Sequence, residues 1–252
     1  MLWDISAING YAINASDGQL GTVSDLLFDD VRWIIRWLVV DTGIWLPGRK
    51  VLPPVSALCK PDAALRRFHV KLNKQQVKDS PDIITDQPVS RQVEVHVYNY
   101  YGWDPYWGDS TFNLNAMATP LVRPPLSTPR DIVGTDADLN KGDPHLCSIA
   151  AVTGYHIHAI DGEIGHVEGF LVDDVGWNVR YFIVDTKNWW PGKRVLISPH
   201  SVRTIDWIDG LVHLDINRQI VRGSPPYDPS IALDRAYEDR YQMYYGTKWV
   251  AG

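Results

Sequence analysis

Two runs in which apolar and polar residues alternate, 11–15 and 20–28, flank Asp17-Gly18. Asp-Gly between such runs signals a β-hairpin, because both residues tolerate the positive φ of a tight primed turn. Asp29-Asp30 ends the second run. The next stretch, WIIRWLVV at 33–40, is rich in β-branched and aromatic side chains and predicts a third strand. Pro47-Gly48 then turns the chain into a short run at 50–52. Residues 67–72 supply one more strand, and Asn73 is placed to cap a single helical turn behind it. The pattern predicts a small, strongly bent antiparallel sheet.

The same pattern returns at an offset of 144 residues, without a gap, from Leu146 to Gly246, and over a third of the aligned positions are identical. Asp161-Gly162 repeats the hairpin turn, Asp173-Asp174 the acidic pair, Asp185-Thr186 the pair Asp41-Thr42, and His213 and Asn217 repeat His69 and Asn73. A repeat of this length implies two structural units. The last stretch of each copy reads two ways. Val93, Val95 and Val97 alternate like a strand, whereas DRAYEDRYQMYYG, opened by Asp234 and closed by Gly246, reads as a helix. Aligned copies should share one fold, so a helix is expected in both. Between the copies, Thr119-Pro120, Arg123-Pro124-Pro125 and Thr128-Pro129 favour an extended connector. The expected organisation is a first copy with helical tail at 1–103, a linker at 104–143, and a second copy with helical tail at 144–252.

Composition narrows the class. A chain that is 45% hydrophobic and 21% charged suits a globular fold. A net charge of −6 argues against broad capture of nucleic acid. The start, MLWDISAING, lacks a basic segment followed by an apolar one, so no secretory signal and a cytoplasmic location are expected. The most apolar run, 33–40, is far below the roughly 18 apolar residues that span a bilayer, so no membrane insertion is expected. Cys59 and Cys147 make no ligand spacing and suggest no disulfide framework.

The order of features resembles the PRC-barrel family. In this chain it runs Gly18 to Gly21, a strand ending in Asp29-Asp30, a tryptophan/arginine strand, and then Trp45-Leu46-Pro47-Gly48-Arg49-Lys50-Val51-Leu52. That family is named for the H subunit of the photosynthetic reaction centre and includes the ribosome-maturation factor RimM. The resemblance covers 5–81 and 149–225. It implies a bacterial protein, mainly β, built as two tandem small antiparallel PRC β-barrels with a short C-terminal helix after each. The H subunit carries a membrane helix ahead of its barrel, and this chain has no counterpart. The likeness to RimM raises a ribosome- or RNA-associated role as an alternative, which the acidic balance opposes.

Asp41-Thr42-Gly43 behind two valines imitates an aspartic protease. Catalysis there needs two such turns sharing a proton, and the second copy reads Asp185-Thr186-Lys187. The aspartates are better read as accepting backbone N–H groups in the following loop. Asp17, Gly18, Asp161 and Gly162 are assigned structural roles in the same way. His156 and His158, with His166 across the hairpin, raise a small-ligand or metal-binding module as an alternative, but no further ligand motif completes a set, so no metal and no cofactor are expected. No nucleophile elbow, Walker loop or HExxH motif is present. The remaining feature is the loop carrying Trp45, Arg49 and Lys50, repeated with Trp189, Trp190, Lys193 and Arg194. Aromatics beside cations suit a protein surface. Tyrosine- and tryptophan-rich tails after each copy offer a second surface, including one for a homo-oligomer. The sequence thus points to a non-enzymatic adaptor or scaffold whose partner is another protein.

Overall fold

The structure is a computed structural model that describes residues 2–44, 46–47, 49–59, 61–79, 145–186, 193–229 and 235–246. It is mainly β. The first sheet holds β2 (Ala12–Ala15), β3 (Gly18–Asp29), β4 (Ile34–Asp41), β5 (Lys50–Val51) and β6 (Arg67–His69) in the order β5-β4-β3-β2-β6. The second holds β8 (His156–Ala159), β9 (Gly162–Asp173), β10 (Val179–Asp185), β11 (Arg194–Ile197), β12 (Val202–Asp206) and β13 (Leu211–Leu214) in the order β11-β10-β9-β8-β13-β12. The expected helical turns form as α2 (Lys74–Lys78) and α4 (Arg218–Arg222). The side chain of Asn217 accepts from the Ile220 N–H, and Asn73 and Gln76 exchange hydrogen bonds reciprocally. The terminal helix is α5 (Arg235–Gly246); its counterpart at 91–102 and the linker at 104–143 lie outside the described residues.

Two expectations need correction. The sheets are not purely antiparallel, since β2 pairs with β6, and β8 with β13, in parallel. Among the described residues neither sheet closes into a barrel. The edges β11 and β12 are consecutive in the chain, but a 3-10 turn at Pro199–Ser201 separates them. Pro53 and Pro54 stand at the same point in the first sheet, and neither has an N–H to extend a ladder.

One feature has no trace in the periodicity. The strand β1 (Leu2–Asp4) does not join the first sheet but pairs antiparallel with β9, Leu2 opposite Asp173. Reciprocally, β7 (Leu146–Ser148) pairs with β3, Leu146 opposite Asp29. Each opening strand leads into a four-residue helix, α1 (Ile5–Ile8) or α3 (Ile149–Val152). Asp25 of the first sheet accepts from the Ser148 hydroxyl and the Ala150 N–H, tying α3 to it. Residues 2–78 and 145–246 therefore belong to one compact unit.

The two sheets meet at an antiparallel bridge between Ile34 and Asn178, which are themselves 144 residues apart. The Ile35 N–H donates to the Trp177 carbonyl (2.8 Å), and the Val179 N–H donates to the Trp33 carbonyl (2.7 Å). Such mutual pairing of equivalent positions is the signature of an isologous two-fold contact, here within one chain. Trp33 and Trp177 hold φ of +57° and +56°, a left-handed conformation costing roughly 1–2 kcal/mol in a residue with a Cβ. Packing offsets that strain: Trp33 stacks on Phe28 and meets the edge of Phe182, while Phe170 lies 6.0 Å from Phe28 and 4.9 Å from Phe182. The three phenylalanines are fully buried, so the contact between the sheets is continuous with the core.

Candidate functional site

The recurring polar residues are taken up by the fold. Asp17 accepts from the Lys74 N–H (2.9 Å) and Asp161 from the Arg218 N–H (2.7 Å), so each hairpin turn caps the short helix behind it. In the hairpin turns Asp17-Gly18 and Asp161-Gly162 the glycine takes positive φ, +137° in both, and the aspartate does not. Asp29 accepts from the Val31 and Arg32 N–H groups, and Asp173 from those of Val175 and Gly176 and from the Asn178 amide. Burial alone would push the Asp173 carboxyl up, but these hydrogen bonds and the charge of Arg180 outweigh it and hold it below the ordinary carboxylate range. Asp29 also faces the buried Arg36 guanidinium at 3.6 Å. Asp29 and Asp173 thus hold the turns that follow them, while Asp30 faces the His145 ring at 2.9 Å.

Asp41 ends β4 and accepts from the Gly43 N–H (2.9 Å), while Asp185 ends β10 in a buried position. The Thr42 hydroxyl lies within hydrogen-bond distance of both the Leu46 and Arg49 carbonyls, and the Thr186 hydroxyl donates to the Lys193 carbonyl (2.6 Å). Each threonine hydroxyl therefore closes the neck of its loop. The carbonyls of Asp41 and Asp185 sit over Gly21 and Gly165, where a Cβ would meet the oxygen at 2.0 Å.

The loops themselves are described in part. Trp45, Trp189 and Trp190 lie outside the described residues. Ile44 stands 95% exposed at the first tip. Arg49 donates to the Lys78 carbonyl (2.8 Å), and Arg194 forms a two-pronged contact with Glu168 at 2.6 and 2.5 Å. Its hydrogen bond to Glu168 raises the Arg194 pKa and keeps the guanidinium charged. These two arginines brace the bases of their loops, and Lys50 and Lys193 are half-buried beside them.

The histidines do not assemble into a ligand set. His156 contacts Glu163 at 3.0 Å and sits opposite His166, while the His158 and His213 rings lie 5.9 Å apart. Among the described residues no three His, Cys, Asp or Glu side chains converge on a metal position. Cys59 and Cys147 form no disulfide.

The aromatic tail turns inward. Tyr237, Tyr241 and Tyr245 recur every four residues along α5 and stack at 5.5 and 5.7 Å. The Tyr241 hydroxyl accepts from the Leu196 N–H and donates to the Pro225 carbonyl, and Tyr237 and Tyr245 donate to the carbonyls of Pro226 and Leu196. Burial pushes all three phenols up, so they remain protonated donors at neutral pH. These tyrosines seal the second sheet. Trp249 and the aromatics of the first tail lie outside the described residues.

Sequence reading missed the turn between β12 and β13, where Asp206 accepts from the Ile208 and Asp209 N–H groups and presents Trp207 and a 96% exposed Ile208. The signal was present as an apolar pair between two aspartates, Asp-Trp-Ile-Asp.

No family model matches the chain. A protein of Deinococcus radiodurans, described as uncharacterized, is 32% identical over 83 residues, 33% of this chain. That match spans 29% of the Deinococcus protein's length. Among the described residues no helix is long and apolar enough to cross a membrane.

Proposed function

We propose that this chain is a tandem PRC-barrel protein, two copies of one β unit joined by the linker at 104–143, serving as a non-enzymatic adaptor that binds another protein through its turns. The observation that carries the reading is the division of labour between recurring and differing residues. Asp17, Asp29, Thr42 and their counterparts Asp161, Asp173 and Thr186 accept or donate main-chain hydrogen bonds that shape the fold. Among the apolar residues that project into solvent, Val31 and Val175 recur, whereas Ile44, Trp207 and Ile208, which crown the turns, have no identical counterpart in the other copy. An exposed aromatic and aliphatic tip suits the centre of a protein interface.

The described tyrosines of the tail are already packed on the second sheet, which favours the turns over the tail as the binding element. Affinity capture from the native host tests this, comparing the unaltered protein with Trp45→Ala/Trp190→Ala and Ile44→Asp/Ile208→Asp. Loss of a specific partner in either variant, with the fold retained by circular dichroism, is the expected result. An unchanged set of partners in both would remove the turns as the binding surface.

A further inference from the structure

A cleft of about 860 Å³ opens where the turn after β3, the strand β10, the 3-10 turn at Pro199–Ser201 and the helix α5 come together. Its size is that of a small-molecule site, for which roughly 300–1,000 Å³ is usual. Arg32, Arg180 and His200 line it, beside Asn178, Trp33 and Tyr241, and among the described residues no carboxylate lines it. In a chain with net charge −6, a concave surface lined by two arginines and a histidine is a local reversal of sign. Two acids act on residues of the cleft, Asp173 on Arg180 and Glu238 on Tyr181 from the helix. The Tyr241 hydroxyl is engaged by Leu196 and Pro225 and its ring is buried at the floor of the cleft, while Trp33 is the half-exposed aromatic beside it.

The internal repeat separates what the fold requires from what it does not. At the corresponding positions of the other copy, Arg32 becomes Gly176, Asn178 becomes Ile34 and His200 becomes Ser56, while Arg180 recurs as Arg36. The same turn geometry forms with either residue, since the N–H groups of Arg32 and Gly176 both donate to the aspartate of their turn. Arg32, Asn178 and His200 are therefore not folding requirements. Aromatic walls with cations at one side fit a flat apolar body carrying a carboxylate, sulfonate or phosphate. We infer that this cleft binds a small organic anion of that kind, with Arg32, Arg180 and His200 facing the charged group and Trp33 and Tyr241 lining the apolar part.

Fluorescence titration with anilinonaphthalene sulfonate, against neutral phenylnaphthylamine, tests the inference. Arg32→Gly/His200→Ser installs residues that the fold accepts in the other copy. It is expected to weaken sulfonate binding by on the order of tenfold, as lost charge-assisted contacts would, while thermal unfolding and neutral-probe binding stay unchanged. Equal sulfonate affinity in the variant would overturn the inference. If the variant does not fold, the unaltered protein decides alone. The sulfonate must bind more tightly than the neutral probe, and its affinity must fall with added salt. Equal affinity for the two probes, or no salt dependence, marks an unselective apolar surface and ends the proposal.

Discussion

Cutting the chain between its two halves should leave them together. The exchanged strands β1 and β7 each lie in the other half's sheet, and the Ile34–Asn178 bridge is flanked by main-chain hydrogen bonds in both directions. A protease site placed within 104–143 and cleaved after folding should therefore give two fragments that co-elute at micromolar concentration, with unfolding that becomes concentration-dependent. The size of the contact can be gauged at Phe170, fully buried against Phe28 of the first half and Phe182 of its own. A buried Phe→Ala change costs about 3–5 kcal/mol. Since part of that packing is internal to the second sheet, the share acting on association is smaller. At roughly 1.4 kcal/mol per tenfold, Phe170→Ala should weaken the cut halves' association by about ten- to a hundredfold. Size-exclusion chromatography and dilution-dependent circular dichroism read this directly. Fragments that separate on cleavage and each keep a folded spectrum would show that the strand exchange does not hold the halves together.

Gly165→Ala would place a Cβ at 2.0 Å from the Asp185 carbonyl oxygen, so the strand must shift, and a loss of several kcal/mol is expected in urea unfolding. Asp17→Ala removes the acceptor of the Lys74 N–H at the start of α2, leaving the Asn73 cap, and should cost about 1 kcal/mol, with Asn largely restoring it. The Asp173 carboxyl is lowered in the folded state, so its contribution is present above pH about 4 and is lost as pH falls through its folded value. Acid unfolding of Asp173→Asn should accordingly show a weaker dependence on pH in that range. Tyr227 is pushed up to about 12 by burial and by nearby acidic groups, so the stability linked to it is intact below pH about 10 and fades as pH rises toward 12. If Tyr227→Phe removes phenolate absorbance that the folded protein already shows near pH 10, that placement is contradicted.

The local elements were readable because they rest on local physics. Alternation along 20–28, the Asp-Gly turns, and Asn73 and Asn217 as caps act over a few residues, and β3, its hairpin and α2 form where these signals stand. The architectural role of the aspartates was readable too, because a short carboxylate at a strand end satisfies the N–H groups just after it. Less visible was β12, whose VRTID carries too few apolar residues to declare a strand and is held by pairing with β13. The cleft left no mark, since Arg32, Arg180 and His200 are far apart in the chain and each alone reads as a solvated charge.

The sequence by itself determined the mainly β class, with the longer strands and the hairpin turns between them. Only the tertiary structure decided which sheet each opening strand joins. Leu2–Asp4 has the same intrinsic preference whether it extends β3 or β9, and a three-residue strand carries too little pattern to choose. The choice comes from the contact around Ile34 and Asn178. There, left-handed Trp33 and Trp177 turn their carbonyls toward the opposite sheet and so bring each half's opening strand within reach of the other.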